Sequence, residues 1–176
     1  MKKNKNIKWI ITITLLAFII SFIFSLISES TIPKVSLPIS IIILILFIVL
    51  GVIFDMVGVA VTASNEEPLH AMSSKKIKGA KKAVNFKKNA AKVSSFCNDV
   101  IGDICGIISG SAGVTIALNL ANKFNIDAFW MSLLITALIA SLTIGGKAIC
   151  KNIAIKNSHN IVHMAAKVLS IYQKNK

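Results

Sequence analysis

The sequence predicts an all-α integral membrane protein with about four transmembrane helices, on three observations. Hydrophobic residues make up 55% of the 176 positions, only 15% are charged, and the mean hydropathy is +0.74, outside the range of a soluble domain. Four apolar runs each reach the roughly 20 residues needed to cross a hydrocarbon core of about 30 Å. The lysines are confined almost entirely to alternate connections between those runs.

The first run extends from Ile7 to about Ile27 behind Lys2, Lys3, Lys5 and Lys8. It is longer than the apolar core of a signal peptide and lacks an Ala-x-Ala end, so an uncleaved span, an N-terminal anchor over 1–30, is expected. The second begins after Pro33 and Pro38 and continues from Ile39 to about Val61, interrupted by Gly51, Asp55 and Gly58. Proline suits a helix start and a short turn. The third, from about Ser95 to Leu120, is less apolar and carries Asp99, Asp103 and several glycines. The fourth covers about Asp127 to Ala148. Together with its flanking helices this gives a three-span domain over 36–172.

Orientation follows from the basic residues, because cytoplasmic connections retain Lys and Arg. Lys34 and Lys123 are the sole lysines of the first and third connections, and the other 18 of 20 lie at the amino terminus, between Lys75 and Lys92, and from Lys147 onward. Both termini are expected in the cytoplasm of a plasma-membrane protein. All basic residues other than histidine are Lys, so bidentate guanidinium recognition of phosphate is absent and the net charge of +13 does not point to nucleic acid. Anionic lipid of the inner leaflet is the expected partner of these segments.

Two segments flank the spans without crossing. Residues 68–92 form a Lys/Ala-rich stretch expected to make one or two surface helices. In 149–172, Ile149, Ile153, Ile161, Met164, Ala165, Val168, Leu169 and Tyr172 form an apolar stripe opposite Lys151, Lys156 and Lys167. Such a helix suits the inner headgroup boundary.

The residues that carry chemistry are polar groups at membrane depth, where a carboxylate is costly unless it pairs or faces a wet cavity. At 100° per residue Asp99 and Asp103 share a face with Gly102, Gly106 and Gly110, and a doubled GxxxG admits a neighbouring helix. Gly51, Asp55, Gly58 and Thr62 form a matching stripe on the second span. Asp55, Asp99, Asp103, Asn98 and Ser64 offer only oxygen ligands, which suits a hard cation such as Mg²⁺. Three readings stay open: a cation site, capping and helix packing, and a proton relay.

His159 and His163 are spaced as metal ligands, but neither Glu nor Cys lies nearby to complete a site, so a solvated face is expected. Cys97, Cys105 and Cys150 read as small core residues. Glu66 and Glu67 are expected to neutralise nearby lysines. The sequence contains neither a nucleophile elbow nor a phosphate-cradling loop nor HExxH, and an enzyme is not expected.

Val-Thr-Ala-Ser-Asn-Glu-Glu-Pro-Leu at 61–69, Lys78-Gly79-Ala80-Lys81 and Ile101-Gly102-Asp103 resemble segments of the transmembrane domain of the cyclin M/CorC/CorB magnesium transporter family. The resemblance covers about a third of the chain. It implies a divalent-cation (Mg²⁺) transporter, coupled to Na⁺ or H⁺, working as a homodimer packed through glycine faces. Ser64 matches a serine near the family's bound ion, while Asp103 stands where the family has asparagine, and no acid follows Asp127 on the fourth span. The family's nucleotide-binding CBS pair has no counterpart before Lys176, so gating by nucleotide is not expected. The alternative function, from a different class, is a non-transporting membrane scaffold or immunity-type interaction protein.

Overall fold

The computed structural model describes residues 2–174, with side chains described for 7–171. Lys2, Lys3, Lys5 and Tyr172, named above, have side chains outside the described set. The fold is all-α, and the described residues contain no strand. Helix α1 runs Lys2–Thr31, α2 Leu37–Ala63, α3 Glu66–Ser74, α4 Ala80–Lys88, α5 Ala90–Ser95, α6 Asp103–Phe124, α7 Ala128–Lys156 and α8 Ser158–Lys174. A π-helical segment, Phe96–Gly102, joins α5 to α6.

Among the described residues four helices are long and apolar enough to cross a membrane: Ile7–Lys34, Leu37–Ala63, Ala90–Phe124 and Ala128–Lys156. Apolar side chains on their outer surfaces, such as Ile10, Leu15, Phe18, Phe22, Ile42, Leu134 and Leu142, are largely exposed in the single chain. Lipid is the medium in which that surface is stable, since helices satisfy their own backbone groups there. The third span starts five residues earlier than its hydropathy suggests, because Ala90–Ser95 is continuous with the apolar helix behind it.

The chain divides into two compact units. The first comprises residues 1–51 and 102–145. Its core is Ile32, Leu44, Ile48, Ile104, Cys105, Ile108, Ala112, Ile116, Ala117, Ala121 and Ile139. Helix α6 supplies most of this core, since its alanines and glycines admit close neighbours. A Cβ at Gly113 would collide with Ile139, and one at Gly51 would lie 3.0 Å from Cys105 Cβ. Helix α1 packs on α6, and Phe24 meets Phe47 of α2 edge-to-face at 6.3 Å. The turn between α1 and α2 holds Pro33 in a short 3₁₀ segment and Pro38 in the first turn of α2, where a missing amide hydrogen is harmless. Ser40, fully buried, donates to the carbonyls of Ile32 and Ser36, each at 3.3 Å.

The second unit comprises residues 52–101 and 146–176. Ala60, Val61, Leu69, Ala83, Ala154, Val162 and Ala166 form its core, and α4 lies against both α3 and α8. The expected surface helices over 68–92 are α3 and α4, and the turn between them takes positive φ at Lys76 (55°) and Gly79 (88°). The expected tail helix is two pieces. Helix α7 continues to Lys156, so Ile149 and Ile153 belong to the fourth span, and α8 starts afresh at Ser158.

The face of α8 that packs on the protein is also not the one the apolar stripe suggests. Ser158, Val162 and Ala166, at i, i+4 and i+8, are buried, whereas Met164, Val168 and Ile171 on another face stay exposed. Small side chains let α8 approach α4 closely. A Cβ at Gly79 would lie 2.8 Å from Lys167 Cα, Lys82 Nζ donates to Leu169 O at 2.8 Å, and His163 Nε2 lies 3.0 Å from Lys78 O.

Candidate functional site

The polar residues expected at membrane depth have separate surroundings. Asp55 is half-buried on α2, 3.8 Å from Lys147 Nζ on α7. In sequence Lys147 falls both within the fourth apolar run and at the head of the basic tail; in the structure it lies inside α7, which continues to Lys156. The signal was present, since residues 128–147 account for a full crossing at 1.5 Å per residue, but α7 had to continue past Lys147 for the ammonium to be held against α2.

Ser64 is buried at the end of α2, where its hydroxyl donates to Val61 O at 3.1 Å. The last carbonyls of that helix also take Lys87 Nζ, 2.9 Å from Thr62 O and 3.4 Å from Val61 O. A lysine there satisfies orphan carbonyls and complements the negative end of the helix dipole. Nothing in the sequence singled out Lys87, because its partner lies 25 residues away in another helix.

Asn98 lies in the π-helical segment with its carboxamide directly over Gly58, and a Cβ at that glycine would collide with Asn98 Oδ1. That oxygen is buried without a hydrogen-bond partner, as is Ser28 Oγ on α1. Asp99 is exposed and accepts a hydrogen bond from Ser95. Asp103 is exposed in the first turn of α6. Both acids are exposed in the single chain. The π-helical segment ends between them, at Gly102.

The glycine stripes are corrected in part. Gly51 packs on α6, its Cβ position 3.4 Å from Gly102 O, and Gly58 packs on Asn98, so the second and third spans pair through small residues as expected. Gly102 is buried, but Gly106 and Gly110 have nothing within 4 Å of a Cβ. Of the doubled GxxxG, Gly102 meets Gly51 through its carbonyl oxygen, while Gly106 and Gly110 meet no neighbour among the described residues. Sequence spacing missed Gly146 and Gly79, which admit Val52 and Lys167.

Glu66 and Glu67 occupy the first turn of α3, which favours acids at its positive end, and Glu66 lies 4.0 Å from His70. His163 is engaged with a backbone carbonyl rather than with His159. All three cysteines are free thiols, with Cys97 and Cys105 buried. Among the described residues, no three His, Cys, Asp or Glu side chains come together as a metal centre would need. Comparisons of the chain with protein-family models, with curated proteins and with solved structures return no match.

Proposed function

We propose that the chain is a non-transporting membrane interaction protein, whose spans anchor a basic helical unit that engages the anionic inner leaflet. The observation that carries this reading is the division of α8 into two faces. Its small residues pack on α4, while Met164, Val168 and Ile171 stay exposed at i, i+4 and i+7 beside exposed Lys167. A helix with one face docked on protein and another apolar and bordered by lysine gains from lying in the headgroup region, by apolar burial and by about 1 kcal/mol per basic residue near an anionic surface. Helices α3 and α4 and the turn between them add Lys75, Lys76, Lys78, Lys81, Lys82, Lys87 and Lys88 to the same unit. This orientation makes both termini cytoplasmic.

The test is amide hydrogen exchange across 164–171 of the full chain, reconstituted in bilayers of phosphatidylglycerol or of phosphatidylcholine alone. Protection is expected to be greater in the anionic bilayer and to fall in a Met164→Ser/Val168→Ser variant. Equal exchange in both lipids and in the variant would remove lipid as the partner and leave a protein surface.

The second reading is the one the family resemblance implies, a Mg²⁺-binding or Mg²⁺-transporting protein acting as a homodimer, with Na⁺ or H⁺ as coupling ion. Asn98 Oδ1, a buried oxygen without a donor, favours it. Lys147 beside Asp55 weighs against it. Expression in a magnesium-transport mutant, with Asp55→Asn and Asp103→Asn as controls, separates the two readings. Identical phenotypes for all three proteins are expected on the first.

A further inference from the structure

Helix α3 ends in a Schellman-type turn. The amide of Lys76 donates to Ser73 O at 3.0 Å and that of Ile77 to Met72 O at 3.1 Å, with Lys76 in the left-handed region at φ 55°. Glycine is the usual residue at that position, because a Cβ there is disfavoured. A lysine holds it here, so backbone preference does not account for the residue.

Ile77 follows, 40% exposed, among the exposed side chains of Lys75, Lys76 and Lys78. Its backbone needs nothing from water, since its amide is taken by Met72 O and its carbonyl accepts from Ala80 N at 3.1 Å. An apolar residue with a satisfied backbone can enter the headgroup boundary without losing hydrogen bonds, while lysines beside it keep their charged heads in the wet phosphate layer.

Helix α8 braces this turn. His163 Nε2 lies 3.0 Å from Lys78 O, and the missing Cβ of Gly79 leaves room for the backbone of Lys167, which brings an exposed lysine from a distant part of the chain. Neither 68–98 nor 128–176 contains an acid, and Glu66 and Glu67 occupy the opposite end of α3, so these lysines have no counter-charge on their own segments. Two other lysines of α4 are turned onto the protein instead: Lys82 Nζ donates to Leu169 O and Lys87 Nζ to Thr62 O.

We infer that the turn between α3 and α4 is a second membrane contact, in which Ile77 enters the headgroup boundary of the inner leaflet and Lys75, Lys76, Lys78 and Lys167 hold phosphates of anionic lipids around it. Lys82 and Lys87 take no part in it. The inference rests on the lipid-surface reading and adds a point of entry on a turn, apart from the apolar face of α8.

The experiment is spin-label accessibility in the full chain, its own three cysteines replaced by Ser or Ala, with one label at position 77 or at position 85 on the exposed side of α4. Bilayers are of phosphatidylglycerol or of phosphatidylcholine alone. Oxygen, which concentrates in lipid, is compared as a relaxing agent with a water-soluble nickel chelate. In the anionic bilayer the label at 77 is expected to favour oxygen and the label at 85 the chelate, with a smaller contrast in phosphatidylcholine. Lys76→Gln is expected to lower the ratio of inserted to free turn by about fivefold, the effect of one basic residue at an anionic surface. Lys76→Gly is expected to lower it equally while unfolding at the same or a higher temperature, because glycine relieves the left-handed backbone. A residue kept only for structure would not weaken insertion while stability rises. Equal chelate accessibility at 77 and 85 in the anionic bilayer, or unchanged depth in both Lys76 variants, would overturn the inference. If exchange across 164–171 still depends on anionic lipid in that case, α8 alone meets the membrane and the lipid-surface reading stands; if it does not, both fall.

Discussion

Gly58 and Gly106 are the same residue type on adjacent spans and were expected to have the same role. Their surroundings give them different sensitivities. A methyl group at Gly58 meets Asn98, whose carboxamide lies between packed helices, whereas Gly106 opens onto free space. Gly58→Ala is expected to destabilise the protein by about 1–3 kcal/mol, the usual cost of overpacking. Gly106→Ala is expected to change stability by about 0.5 kcal/mol or less, the range of a substitution that meets no neighbour. Paired thermal unfolding of the two variants in one detergent measures the contrast. Equal destabilisation would mean that Gly106 has a partner outside the chain, as packing of a second copy through the glycine face requires. Asn98 illustrates the same point for polar groups. Its type suggested a ligand, but its position over Gly58 and its unsatisfied oxygen are tertiary facts.

Among the elements, α8 depends most on a single backbone feature. The turn that ends in Gly79 uses φ of 88°, and the missing Cβ leaves room for the backbone of Lys167. Gly79→Ala adds both a disfavoured conformation and a clash 2.8 Å from Lys167 Cα. Its effect is expected to be local: α8 should exchange its amide hydrogens faster by about tenfold or more, which corresponds to about 1.4 kcal/mol at 25 °C, while α6 is unchanged. Exchange resolved by peptide mapping reads this directly, and uniform acceleration through α6 would show that docking of α8 is not separable from the rest. The π-helical segment is the second element with consequences. It carries Asn98, whose carboxamide lies against Gly58 of α2.

For the whole molecule, hydropathy and charge together give a topology that labelling can check. With single cysteines introduced into a chain whose own three cysteines are replaced by Ser or Ala, positions 34 and 123 are expected to react with an impermeant thiol reagent from outside the cell. Positions 78 and 156 are expected to react only after permeabilisation. Reaction of 78 from outside would invert the orientation and remove the inner leaflet as the surface that α8 meets. The separation of lysines from the apolar runs explains why the four long apolar helices were readable. A charge is costly in hydrocarbon wherever the helix beside it packs, so apolar runs and lysine-rich connections are written one after the other along the chain.

The sequence by itself determined the all-α class, the four apolar helices within a few residues, the proline turn before α2 and the pairing of the second and third spans through small residues. These depend on transfer of side chains from water to lipid and on local backbone geometry, both of which are properties of a short stretch of chain. Only the tertiary structure decided that Lys147 neutralises Asp55, that Lys87 caps α2, that Gly106 and Gly110 stay open and that α8 packs by its smallest side chains. Each is a contact between residues far apart in sequence. Periodicity can say which positions share a face, but not which face a neighbour will take, because that choice is set by how closely two helices can approach.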